Sequence, residues 1–394
     1  MGKNIIAPPL LTVQYTAHMV SSMLHIQILR KALIPLFIVV CLLGQPQVRA
    51  AEPSGRTWNL SAELKSSGFS GTVLVSRAQR TVYRRDFGLA ERSFGVPVTR
   101  KTRFRVASIT KLFTSVAILR LVDRGQVDLD APFFRYLPDY PGPGAEGITV
   151  RQLLGHMSGL PQFDTAASFD EAVAAGLPQY QQYRTHRQLL GLCCSKAPVA
   201  APGERFDYNN ADYIVLGMMI EAITGHPYME ALEELVLGPA GLTNTGLPTW
   251  SQTVPGLARS YFRRPGGKDF ENELPFFWEN SYAAAGLTST VNDISRFSDA
   301  VFAGNLLSDA ARTALMRPAG DEYGLGLWSY SFARHGVVHR VAKRPGSVMG
   351  ANAMLYRLPD DGLSIVILAN SNAVDLDELA QRLANAVLDG KTIR

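Results

Sequence analysis

Val106-Ala-Ser-Ile-Thr-Lys-Leu-Phe113 is the stretch on which the reading of this chain turns. Ser108 stands three residues before Lys111. Ile109, Leu112, Phe113, Val116 and Leu119 recur at helical spacing, so an amphipathic helix with one buried face is expected, ending near Gly125. Residues three apart on a helix are neighbours, which puts the Ser108 hydroxyl within reach of the Lys111 amine. A hydroxyl becomes a useful nucleophile only when a nearby group takes its proton. The unpaired N–H groups at the start of the helix would favour negative charge developing there. Taken alone, Ser-x-x-Lys is so common by chance that the plainer reading, a capping serine followed by a surface lysine, prevails, and the case must come from other residues.

Strand signals lie at both ends of the chain and helical signals between them. Gly71–Ser76 and Thr81–Phe87 read as a strand pair. Tyr323–Trp328, Val337–Val341, Ala351–Tyr356 and Leu363–Ala369 are short and β-rich, with a hairpin turn at Asp360-Asp361-Gly362. Residues 127–148 read as loop, with Thr149 capping a helix that His156-Met-Ser-Gly-Leu160 closes. Residues 165–245 look mainly helical, 255–280 extended, and Thr290-Val-Asn-Asp293 opens a helix as a capping box. Leu376, Leu379, Ala380, Leu383 and Val387 make a last amphipathic helix. The fold class expected is α/β (α+β): an antiparallel sheet from both chain ends, flanked by helices, with an inserted mostly helical subdomain. The α/β part covers about 55–125 and 281–394, the helical part about 126–280.

Residues 32–44 form an apolar run behind Arg30 and Lys31, followed by Val48-Arg49-Ala50. This reads as a secretory signal peptide over residues 1–50, too short to span a bilayer, with an uncleaved anchor as the minority reading. Met19 and Met23 are alternative starts. Periplasmic or secreted placement follows, with no stable membrane anchor. Of the net charge of +5, four positive charges fall in residues 1–50, which hold no acidic residue, leaving +1 for residues 51–394. That balance gives no reason to expect a nucleic-acid partner. Cys193 and Cys194 are adjacent, a spacing that strains a ring, so no disulfide framework is expected.

Two further stretches can carry chemistry. Phe206-Asp-Tyr-Asn-Asn210 precedes a buried helix. The Tyr208 phenol can act as a general base if a nearby ammonium lowers its pKa, and the Asn210 amide can hold the lysine or a substrate carbonyl. Lys343-Arg-Pro-Gly-Ser-Val-Met-Gly350 lies between two expected strands. There Gly346 permits close approach, and the Ser347 N–H can join that of Ser108 as an oxyanion hole. Each has a plainer reading: a part-buried tyrosine with a capping asparagine, and a basic turn.

Together the three stretches resemble one family, the class C serine β-lactamases with the related penicillin-recognising D,D-peptidases and esterases. Ser108-Ile-Thr-Lys111 is similar to the family's Ser-x-x-Lys and Tyr208-Asn-Asn210 to its Tyr-x-Asn. Arg344-Pro345-Gly346 falls where the family has Lys-Thr-Gly or His-x-Gly. Leu153–Leu160, Gly286–Thr290 and Tyr323-Gly-Leu-Gly326 add to the likeness, which covers roughly residues 60 to 390. The resemblance implies a serine hydrolase working through an acyl-enzyme on Ser108, with Tyr208, assisted by Lys111, as the base. It implies substrate-binding roles for Asn210, Arg344, Gly346 and Ser347, no cofactor and no metal. His156 matches a family histidine and is expected to fix a loop. Arg344 is a departure, since a guanidinium cannot exchange protons, though it can grip a carboxylate. Pro345 removes an N–H on what is the family's edge strand.

The expected substrate is therefore a small ester, amide or D-amino-acid peptide, with β-lactams as the alternative within enzymes. A non-catalytic envelope protein that binds peptides is the rival from another class. Aromatics within 259–278 (Tyr261, Phe262, Phe276, Phe277, Trp278) either roof the site or belong to the core. Gly-x-Ser-x-Gly and His-Glu-x-x-His are absent from the sequence.

Overall fold

A computed structural model describes residues 57–162, 169–264, 266–318 and 321–394. The expected signal peptide lies outside the described residues.

The central sheet has six strands: β1 (Gly71–Arg77), β2 (Arg80–Phe87), β3 (Trp328–Arg334), β4 (Val337–Val348), β5 (Ala351–Leu358) and β6 (Leu363–Ala369). Their order is β3-β4-β5-β6-β1-β2, with every neighbouring pair antiparallel. The β6–β1 pair joins the two ends of the chain, so the expected sheet from both termini is what forms. Side chains alternate between faces along each strand. Leu74, Ala353, Leu355, Val366 and Leu368 enter one core. Val73, Val75, Met354, Tyr356, Ile365 and Ile367 enter the other. Helices α1 (Leu60–Ser66) and α6 (Leu376–Leu388) cover the second face.

On the first face lie α2 (Ile109–Asp123) and α5 (Val291–Phe302). Beyond α2 are α3 (Val150–Leu154), capped by Thr149 in a box with Gln152, and α4 (Asn210–Thr224). The expectation of one buried face for α2 is corrected. Residues Ile109 to Leu119 and Leu121 are all buried, Thr110, Lys111, Thr114 and Ser115 included. A helix packed between a sheet and other helices has no solvent side, and its polar groups are matched instead. Thr114 donates to the Ala283 carbonyl at 2.7 Å and Ser115 pairs with the Tyr213 hydroxyl at 3.0 Å. Phe113 stacks on Phe297 of α5 at 3.8 Å between ring centres.

Three further expectations change. Tyr323–Trp328 is not a strand: Tyr323 and Trp328 bridge across a tight loop and β3 begins at Trp328. That loop needs Gly326 at φ +100°, where a Cβ would lie 2.2 Å from the Ser115 hydroxyl. Lys343–Ser347 is not a turn between strands but part of β4, which runs unbroken to Val348. Cys193 and Cys194 are joined to each other at the end of helix His186–Cys194, where both are buried. A bond between adjacent residues closes no length of chain, so it adds little constraint to the unfolded state. The Asp360-Asp361 turn holds, closed by the Gly362 N–H on the Pro359 carbonyl at 3.2 Å.

Candidate active site

The site forms where the first turn of α2, the loop before α4 and the free edge of β4 meet. The α2 end is drawn tight. Ala107 sits at φ +46°, a strained value for a residue with a side chain, and turns the chain sharply into Ser108. The Ser108 side chain makes no capping bond, which removes the bland capping reading. Lys111 follows on the same helix face, fully buried. Its ammonium donates to Asn210 Oδ1 at 2.6 Å, to the Ala284 carbonyl at 3.1 Å and to Ser108 Oγ at 3.3 Å. A buried ammonium needs acceptors, and these three hold its Nζ beside the hydroxyl.

The second segment is pinned by His156, itself at φ +56°. The His156 carbonyl accepts the Asp207 N–H at 2.8 Å and its Nδ1 accepts the Asn209 N–H at 3.2 Å. The side of Nδ1 also meets Asp212 Oδ2 at 2.8 Å, and Ser158 donates to the other Asp212 oxygen. Burial pushes the Asp212 carboxyl well up. Burial, with the charges of Lys111 and Arg344, pushes His156 well down. Both directions disfavour an ion pair between them. Asn209, not Asn210, caps α4 by accepting the Ala211 N–H. Asn210 instead holds Lys111.

The third segment owes its geometry to register. β3 pairs with β4 only from Val337 to Lys343. From Arg344 onward β4 is bonded to β5 alone, and its other edge faces Ser108. Proline is tolerated on such an edge, so Pro345 does not break the strand. Alternation sends Lys343 to the far face, where it meets Asp377 at 2.8 Å, and Arg344 into the site. At Gly346 an added Cβ would lie 2.3 Å from the Val106 carbonyl oxygen and 3.0 Å from the Ser108 nitrogen. Only glycine allows β4 this close to the turn that carries the serine. Ser347, the next residue, is exposed.

Arg344 is 1% exposed. Its Nε donates to the Ser108 carbonyl at 2.6 Å, Nη1 to the Tyr323 hydroxyl at 2.8 Å and Nη2 to the Tyr208 hydroxyl at 2.6 Å. Tyr208 is half-buried. Its ring packs on His156, Tyr323 and Trp328, with the Lys111 ammonium 4.9 Å from the ring centre. Burial alone would raise its pKa, but Arg344 and then Lys111 outweigh it and bring the phenol down to about 8.

Ser108, Lys111, Tyr208, Asn210, Arg344 and Gly346 thus converge, with Ser347 on the same strand edge. Sequence reading did not single out Asp212, Tyr323, Trp328 or the Ala284 carbonyl. Tyr323 lay inside a quoted motif, but its contact with Arg344 depends on the loop closing. The 259–278 aromatics divide. Tyr261 and Phe262 are buried away from it, while Phe276, Phe277 and the also buried Trp278 line a cleft of about 360 Å³ with Trp250 and Arg105. The cleft is near the site in sequence at two points, though none of the site residues lines it. Arg105 stands three residues before Ser108, and Trp278 six before Ala284. Among the described residues, no group of three or more His, Cys, Asp or Glu side chains could hold a metal ion.

Residues 59–388 match the model of the Beta-lactamase family, and the chain belongs to that family. It is 35% identical over 192 residues to esterase EstB of Burkholderia gladioli, a match covering 46% of this chain and 48% of the esterase. The chain thus spans about half the length of that relative. Among solved structures it is similar to a penicillin-binding protein from Bacillus halodurans, with a TM-score of 0.70 and 27% identity over 82% of this chain and 98% of that one. It is also similar to a D-stereospecific amidohydrolase from a Streptomyces species, with a TM-score of 0.68 and 26% identity, covering 82% and 96%. Fold and family are those of the β-lactamase/transpeptidase-like serine hydrolases.

Proposed function

We propose that this chain is an exported serine hydrolase that acts through an acyl-enzyme on small esters, amides or D-amino-acid peptides. The observation that carries the reading is the convergence of the Ser108 hydroxyl, the Lys111 ammonium and a Tyr208 phenol with a lowered pKa. Tyr208, as phenolate, takes the Ser108 proton while Oγ attacks the carbonyl carbon. The N–H groups of Ser108 and Ser347 receive the oxyanion. The alcohol or amine leaves with the proton from Tyr208, and Arg344 with Lys111 favours the phenolate between proton transfers. Water, deprotonated by the same phenolate, then releases the acid and restores Ser108. Export rests on the apolar run at 32–44 and implies a periplasmic or secreted enzyme.

The names of the relatives support ester and amide substrates, since they include an esterase and a D-stereospecific amidohydrolase. The family's name favours β-lactams as the second reading. The test is turnover by the purified mature chain of p-nitrophenyl esters, D-amino-acid amides and nitrocefin, with Ser108→Ala as the blank. Ester or amide hydrolysis that falls at least about a thousandfold in Ser108→Ala is expected. Nitrocefin as the fastest substrate would replace this reading with the second. Equal rates for both proteins would reject a serine hydrolase, leaving the non-catalytic peptide-binding rival.

A further inference from the structure

We infer that Arg344 is a positioning residue for Tyr208 rather than a receptor for a substrate carboxylate, so the acyl donors this site prefers carry no carboxylate on the side facing β4. The inference rests on the hydrolase reading above and narrows its substrate class.

A guanidinium can grip a carboxylate only through N–H groups that point at it. In Arg344 three of the five N–H groups already donate to protein oxygens, at 2.6, 2.8 and 2.6 Å, and with the side chain 1% exposed the two left on Nη1 and Nη2 are shut off from solvent. Tyr208, Tyr323 and Trp328 surround the guanidinium, with its carbon 5.4, 5.9 and 5.4 Å from their ring centres. These contacts stabilise the cation where it is and keep substrate from its faces. Turning it toward a ligand would break these three bonds, one of them to the fully buried Tyr323 hydroxyl.

The neighbouring cations are engaged as well. Lys343 is on the far face with Asp377, and Lys111 is held by Asn210, Ala284 and Ser108. What the free edge of β4 offers a ligand is its backbone, which is neutral. A donor of fixed charge beside Tyr208 is instead suited to keeping the phenolate form. The other groups around that phenol are Lys111 from α2, the His156–Asp212 pair, and the hydroxyls of Tyr213 and Tyr323, with Asp207 next to it in the chain.

The test uses a matched pair, N-acetyl-D-alanyl-D-lactate as the free acid and as its C-terminal amide, with release of the lactyl fragment followed in wild type, Arg344→Met and Arg344→Lys. The amide is expected to be cleaved at least as fast as the acid. Arg344→Met should slow both by the same factor, leaving their ratio within about twofold, and Arg344→Lys should recover part of the loss. An acid preferred tenfold or more, with the preference vanishing in Arg344→Met, would overturn the inference. A second arm needs no turnover. The Tyr208 phenol is titrated by NMR in protein labelled at tyrosine Cζ, its signal assigned by loss in Tyr208→Phe. Arg344→Met should raise its midpoint by more than one pH unit, and an unchanged midpoint removes the positioning role. If no substrate is cleaved while the midpoint still moves, the hydrolase reading fails and the assignment of Arg344 to Tyr208 stands.

Discussion

Replacing Gly346 by alanine adds one methyl group where the structure leaves no room for it. The new Cβ would lie 2.3 Å from the Val106 carbonyl oxygen, 3.0 Å from the Ser108 nitrogen and 3.2 Å from the Ile109 nitrogen. A carbon next to a carbonyl oxygen settles near ~3.3 Å, so β4 and the Ser108 turn must part by about 1 Å. All three obstructing atoms are backbone, and Val106 is held to Leu287 at 3.0 Å, so no side chain can swing aside. A displacement of about 1 Å between reacting groups costs on the order of a hundredfold in rate, or roughly 2.7 kcal/mol of transition-state stabilisation. Overpacking should also lower stability by about 1–3 kcal/mol. The assay is kcat/KM on a p-nitrophenyl ester beside a thermal melt. Gly191→Ala is the control, because a Cβ there meets nothing within 4 Å. Retention of kcat/KM within twofold in Gly346→Ala would refute the claim that β4 is pressed against the nucleophile's turn.

The pH dependence follows from Tyr208, whose phenol is lowered to about 8 by Arg344 and Lys111 against the effect of burial. The base works deprotonated, so kcat/KM should rise about tenfold per unit toward that pH and level off above it. Tyr208→Phe should cost about a hundredfold or more and abolish this limb, and a limb that survives the substitution assigns it elsewhere. Trp250→Ala with Phe277→Ala opens one wall of the 360 Å³ cleft. Bulky aryl esters should lose about tenfold relative to acetyl esters, and an unchanged ranking would separate the cleft from substrate choice.

Much of this was legible in the sequence because it is periodic or local. The β-rich runs of β5 and β6, the Thr149 cap and the Asp360-Asp361 turn all report neighbouring residues. The hydrophobic run of α2 was legible as a helix, but periodicity cannot tell one buried face from burial all round when Thr110, Ser115 and Lys111 find partners from distant segments. The extent of β4 was hidden for a similar reason. Its second half pairs on one side only, and Arg344, Pro345 and Gly346 resemble turn chemistry until the register with β5 is known. The role of Arg344 lay furthest from view. Its partners Ser108, Tyr208 and Tyr323 come from three other stretches, and no spacing rule brings them together.

The account depends on Ser108 being the atom that becomes acylated, and intact-protein mass spectrometry measures that directly. Wild type treated with a fluorophosphonate, or quenched during turnover of a slow ester, should gain one adduct. That adduct should map to the peptide holding Ser108 and be missing from Ser108→Ala, and strongly slowed in Tyr208→Phe. Hydrolysis proceeding with the adduct on another residue, or labelling undiminished in Ser108→Ala, would contradict it.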